Sequence, residues 1–188
     1  MANTRVACLG ASNFKKSLNM TQVHTALQPY KNLILNMAES GAALKAKTHP
    51  KSFFKQIELL KPFEGRTIYI LFIGQNRQSN SRKFLTQYKA KILEMAQEVG
   101  YNNMTVLLAL PRARENEIIA KQAREISKVG LEFEKRGIHT LNIFDMMPEE
   151  LKRKETLYDA RLDYTHYSKP VLLYVQQAVA KSIEKHLN

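Results

Sequence analysis

A chain of 188 residues, 44% of them hydrophobic, can bury a core without disulfides or metal. It holds no unbroken apolar run near the ~20 residues of a membrane-spanning helix, and its one cysteine, Cys8, excludes an internal disulfide. The net charge of +12 and pI near 9.8 raise nucleic acid or an anionic surface as a partner. The basic residues are spread along the helical segments with no nucleic-acid motif beside them, so a solvated face is the simpler reading and nucleic acid is not the expected partner.

The amino-terminal Met1-Ala-Asn-Thr-Arg-Val has no apolar stretch of signal-peptide length before the first strand. Export by that route is therefore not expected, and the cytoplasm, or another location that needs no signal peptide, is. Short apolar runs then alternate with helix-period segments, the pattern of an α/β domain with a mainly parallel sheet covered on both faces. The strand candidates are Val6–Leu9, Leu33–Met37, Thr67–Ile73, Met104–Leu110 and Thr140–Phe144. Cys8 lies in the first of these, where a small buried hydrophobe is expected rather than a reactive thiol.

Between the later strands, Phe84, Tyr88, Ile92, Met95 and Val99 recur at helical spacing. Ile119, Ala123, Ile126, Gly130 and Phe133 do the same, as do Leu172, Val175, Val179 and Ile183. Gly100 and Gly137 are placed to stop the first two of these helices, and Ser168 with Pro170 to start the last. The stretch 146–166 is longer than an ordinary connection, and Pro148-Glu-Glu-Leu-Lys-Arg-Lys within it suits a short helical turn. No internal repeat, low-complexity tract or linker interrupts the chain, so 1–188 reads as one domain.

Three short segments carry candidate chemistry: Gly10-Ala11-Ser12-Asn13, Gly74-Gln75-Asn76 and Asp163-Tyr164-Thr165-His166, with Gly41 as a fourth piece. Ser12, Gly41 and Asn76 follow strands one, two and three. They therefore fall on the carboxyl rim of the sheet, where open parallel sheets bind ligands. A serine hydroxyl needs a base within reach, and His166 is the base offered. Asp163 would hold its tautomer and stabilise the imidazolium. The N–H groups of Ser12 and Gly41 with the Asn76 amide would stabilise a developing oxyanion. Each piece has a plainer explanation: a helix cap for Ser12, a loop glycine, a turn asparagine, a surface or core histidine. Asp145 is a rival acid whose simpler role is to cap the end of strand five. His24, His49, His139 and His186 have no acid at the matching spacing and read as structural.

Taken in order, Ser, Gly, Asn and His on these blocks resemble the SGNH hydrolase family, the GDSL-type esterases. The likeness runs from the first strand to the last helix, with Leu59-Leu-Lys-Pro62 where the family ends a helix before strand three. Ala11 stands where the family usually has Asp, as in branches that read G-Q-S-N, and Arg77 stands where Asp commonly follows the Asn. The resemblance implies a flavodoxin-like, three-layer α/β/α sandwich with five parallel strands in the order 2-1-3-4-5. It also implies a catalytic Ser12, His166 and Asp163, an oxyanion hole of Ser12, Gly41 and Asn76, and no cofactor or metal.

The expected activity is hydrolysis of a small acyl ester, foremost removal of acetate from a carbohydrate. Lipid esters and thioesters are the alternative substrates of the same fold, and a non-catalytic glycan-binding or structural module is the alternative class. Arg77 and Arg82 follow strand three, and Arg112 and Arg114 follow strand four. As substrate-binding groups, Arg77 and Arg112 would favour an ester on an anionic carrier; as solvated loop arginines they would not.

Overall fold

The computed structural model describes residues 3–44, 46–73, 81–108, 116–159 and 166–188, less the side chains of 81–87, 116, 119–120 and 122–123. Of the sequence candidates, Asn76, Arg77, Arg112, Arg114 and Asp163 lie outside these residues, as does the Arg82 side chain.

Five strands form one parallel sheet: β1 (Thr4–Leu9), β2 (Ile34–Asn36), β3 (Arg66–Ile73), β4 (Met104–Leu108) and β5 (His139–Asn142). Their order is β2-β1-β3-β4-β5, every neighbouring pair being parallel. The helices are α1 (Ser12–Leu18), α2 (Phe53–Glu58), α3 (Ser81–Val99), α4 (Asn116–Glu134), α5 (Ile143–Met146), α6 (Lys154–Leu157) and α7 (Lys169–Leu187). Strand order reverses after β2, so right-handed crossovers put α1 on one face of the sheet and α3 and α4 on the other. Accordingly α7 packs on α1, and α3 packs on α4.

The apolar runs become strands because both faces of the sheet are covered. Val6, Ala7, Cys8 and Leu9 are fully buried, as are Ile68, Ile70 and Leu71 on β3. Burial pushes the Cys8 thiol far above its ordinary range, which leaves it a small core hydrophobe. The helical stripes face inward as their spacing requires: Ile92 and Met95 on α3, Ile126 and Phe133 on α4, and Val175, Val179 and Ile183 on α7 are buried. After α4, Gly137 N–H donates to Glu134 O and Ile138 N–H to Phe133 O, the paired bonds of a Schellman stop.

Three local expectations are corrected. Strand five ends at Asn142 and not Phe144, because Asn142 Oδ1 accepts the Phe144 N–H at 3.0 Å and opens α5. Asn142, and not Asp145, is therefore the cap at this strand end. Strand two is only three residues long; Leu33 belongs to a 3-10 turn, Thr25–Leu33, although Met37 N–H still donates to Cys8 O. Helix α7 starts as expected, with Ser168 at its cap position and Pro170 in its first turn, and the Ser168 hydroxyl donates to Thr156 O at 2.6 Å. The stretch from Pro148 holds the expected turn as a 3-10 helix, Glu149–Leu151.

Helix α2 is fastened to the end of β1 by one buried amide. Gln56 Oε1 accepts the Gly10 N–H at 2.9 Å while Gln56 Nε2 donates to Gly10 O at 3.0 Å. Gly10 itself has no room for a side chain: an added Cβ would stand 2.8 Å from Phe14 Cδ1 and 3.0 Å from Phe14 Cβ.

At the opposite, amino end of the sheet sits a basic cluster. His186 Nε2 lies 2.8 Å from Thr105 Oγ1 on β4, and the His139 ring meets the His186 ring edge-on. The Arg66 guanidinium donates to His186 O at 2.6 Å and stands 3.4 Å from Nδ1. Burial first, then the Arg66 charge, pushes His186 down from 6.5 to about 4, and burial lowers His139 as well.

Two predictions follow from these contacts. Gln56→Leu strands the buried Gly10 N–H, and the loss of about 1–3 kcal/mol expected for such a group should appear as a lower urea midpoint. For His186 the unfolded chain binds more protons than the folded one between pH 4 and 6.5. Stability should therefore be full above pH 6.5 and fall as pH drops toward 4. His186→Gln should flatten that slope in urea titrations at pH 7.5, 6.0 and 4.5, leaving the weaker contribution of His139.

Candidate active site

At the carboxyl end of β1 the chain turns through Gly10 and Ala11 into α1, with Ala11 in the cap position and Ser12 as the first helical residue. Ser12 is half-buried, and among the described residues its hydroxyl makes no hydrogen bond, so it is not consumed as a helix cap. Nor does it bond to His166.

Asn13 is the next residue and only 3% exposed. Its Oδ1 accepts the N–H of Tyr167 at 3.0 Å, across 154 residues of sequence. Residues 157–159 form a clasp with 166–168: Asp159 N–H donates to His166 O at 2.8 Å and Ser168 N–H to Leu157 O at 3.0 Å. The peptide unit joining His166 to Tyr167 is thus held at its carbonyl by Asp159 and at its N–H by Asn13. The half-buried His166 is carried on that unit, with Nδ1 buried.

Aromatic rings secure the same junction. Tyr167 stacks on Tyr158 at 5.9 Å between centroids, and Phe72 near the end of β3 meets it edge-on at 6.4 Å. Phe72 in turn packs on Phe14 of α1 at 5.2 Å. Such contacts add to the burial of these large side chains, so β3, α1 and the His166 segment close on one another as a unit.

Gly41 stands in the turn after β2 at φ +78°, a conformation that favours glycine. That turn is tied to the serine loop, since Glu39 N–H donates to Gly10 O at 3.0 Å and Ala42 N–H to Glu39 O. The structure therefore brings the Ser12 loop, the Gly41 turn and the His166 segment to one rim, while Asn76 and Asp163 lie outside the described residues.

The rival residues are elsewhere. Exposed Asp145 accepts from Ser127 of α4 at 3.3 Å. His24 caps the 3-10 turn through Ala26 N–H, and His49 Nδ1 accepts Lys51 N–H. His139 and His186 are at the far end of the sheet. Among the described residues no group of three or more His, Cys, Asp or Glu is placed to hold a metal ion, and no helix is long and apolar enough to cross a membrane.

Sequence reasoning missed two supporting residues, Gln56 and Asn13. A signal existed for the first: Gln56 is three residues after Phe53, on the apolar side of a short amphipathic helix, where a polar residue must find a buried partner. Beside Tyr167, a groove of about 280 Å³ runs between α1 and α7, lined by Lys16, Lys169 and Asp159 together with Met20 and Leu172.

No family model matches this sequence, and no curated protein matches it. Solved structures do. The lipase/acylhydrolase from Enterococcus faecalis superposes with a TM-score of 0.59 at 12% identity, covering 97% of this chain and 96% of that one. The protein YXIM from Bacillus subtilis superposes with a TM-score of 0.60 at 14% identity, covering 98% of this chain but 57% of its own. The five-stranded 2-1-3-4-5 sheet with its flanking helices is thus the fold of the Enterococcus faecalis lipase/acylhydrolase.

Proposed function

We propose that the protein is a serine ester hydrolase of the SGNH type. The observation that carries this reading is the hydrogen bond from Tyr167 N–H to Asn13 Oδ1, which joins the residues following Ser12 and His166 at one rim of the sheet. The fold shared with a lipase/acylhydrolase supports it.

In the reaction Ser12 Oγ attacks the ester carbonyl while His166 takes its proton. Negative charge gathers on the carbonyl oxygen, where the N–H groups of Ser12 and Gly41 and the side chain of Asn76 donate to it. His166 returns the proton to the departing alcohol, and water then releases the acyl group by the reverse sequence. Asp163 holds the imidazole in the working tautomer. No step calls on a metal or organic cofactor.

For substrate we favour a short acyl ester on a carbohydrate, foremost an acetyl group. The lack of Asp at position 11, shared with carbohydrate-esterase branches of the family that read G-Q-S-N, supports this preference. Arg77 and Arg112 would add affinity for an anionic carrier. The second reading, a lipid or thioester hydrolase, draws on the name lipase/acylhydrolase of the Enterococcus faecalis protein.

A fluorophosphonate probe should label the purified protein, and Ser12→Ala should abolish labelling without altering the unfolding midpoint. Retained labelling in that variant rejects Ser12 as nucleophile. With p-nitrophenyl esters of increasing length, turnover should be confined to short acyl groups; a preference for long chains selects the lipid reading.

Asp163→Asn should lower kcat by on the order of 10⁴-fold, the scale for losing the group that sets the histidine tautomer. Asp145→Asn should change kcat little, because Asp145 is engaged with Ser127. Reversal of that order in steady-state kinetics would make Asp145 the partner of His166.

A further inference from the structure

We propose that Asn13 is a positioning residue whose side-chain oxygen sets the distance between the nucleophile and the base by holding the His166–Tyr167 peptide. The inference rests on the hydrolase reading above and adds to it a role for a residue that does not touch substrate.

The argument starts from what a buried asparagine needs. Asn13 is 3% exposed, so its polar atoms must find partners inside the protein. Its Oδ1 takes the N–H of Tyr167, a backbone group that belongs to no strand or helix. Ser12 and Asn13 are consecutive in the first turn of α1, and His166 and Tyr167 are consecutive in the clasp. One hydrogen bond of 3.0 Å therefore spans the two residues next to the reacting pair.

Other contacts among the described residues hold the His166 segment from its far side. Asp159 fixes the His166 carbonyl from within the clasp, and Tyr158 and Phe72 hold the Tyr167 ring. These contacts keep the clasp intact and anchor it to β3. The Asn13 bond fixes it, by direct polar contact, to the helix that carries Ser12. A displacement of about 1 Å at such a junction costs roughly 10²-fold in rate.

Amide rather than carboxylate matters here. An aspartate would accept the same N–H, but its negative charge would favour the protonated imidazole of the nearby His166. Asn13→Asp therefore keeps the geometric restraint and changes the electrostatics, whereas Asn13→Leu keeps the volume and removes the acceptor. The pair separates a positioning role from a packing role.

The experiment measures p-nitrophenyl acetate hydrolysis and fluorophosphonate labelling for wild type, Asn13→Leu and Asn13→Asp from pH 6 to 9, with urea midpoints as the folding control. Asn13→Leu should lose roughly 10- to 100-fold in kcat and labelling rate at nearly unchanged KM. Asn13→Asp should recover most of the rate at high pH, with the acid limb of kcat/KM moved upward. Wild-type rates in folded Asn13→Leu, or an Asn13→Asp variant as slow as Asn13→Leu at every pH, would overturn the role. Should Asn13→Leu fail to fold, Asn13→Asp decides alone: an upward-shifted limb with a recovered plateau supports positioning, and an unshifted limb overturns it. No labelling of the wild type would overturn the hydrolase reading and this inference together, a result distinct from normal labelling of the leucine variant.

Discussion

At Gly10 the chain leaves β1 with its N–H and its carbonyl both held by one side chain, the buried amide of Gln56. The same carbonyl also receives Glu39 N–H from the turn after β2. Strand end, helix α2 and the Gly41 turn are thereby referred to a single residue, and Ser12 follows two positions later. Because Phe14 packs directly against Gly10, the first turn of α1 is pressed onto the point that Gln56 fixes. The start of α1 thus has a rigid base, and it comes from backbone groups and an amide rather than from ions.

Much of this architecture could be read along the chain. Fully buried strands leave short apolar runs, and Val6–Leu9 and the core of β3 were legible for that reason. Helices α3, α4 and α7 were legible because a buried stripe repeats every three or four residues. The strand order came from the family likeness and not from periodicity, which carries no information about neighbours. Ser12, Gly41 and His166 were legible as blocks on that rim. What escaped was the set of contacts between distant polar residues. Asn13 looks like an ordinary surface residue in sequence, and Gln56 shows at most that it needs a buried partner, since the partners of both are backbone groups that any residue carries. Asn142 escaped for a related reason: an asparagine at the end of an apolar run serves equally as strand, turn or cap until the next N–H is placed.

The two ends of the sheet are built from different materials. The carboxyl rim uses amides, peptide groups and aromatic rings, which hold their geometry across a wide pH range. The amino end uses Arg66, His139 and His186, where burial lowers both imidazoles and the Arg66 and His139 charges lower His186 further. These acid-sensitive groups lie at the end away from the candidate site, where the carboxyl terminus of α7 meets β3 and β4.

The bond between Asn13 and Tyr167 also has a bearing on how the chain acquires function. It closes a loop of 154 residues, and so distant a contact costs more chain entropy than a local helix or the pairing of neighbouring strands. A nascent fragment that stops before Tyr167 lacks both the partner of Asn13 and the helix that packs behind α1. The joint between the Ser12 and His166 segments is accordingly made only once both ends of that loop have been synthesised.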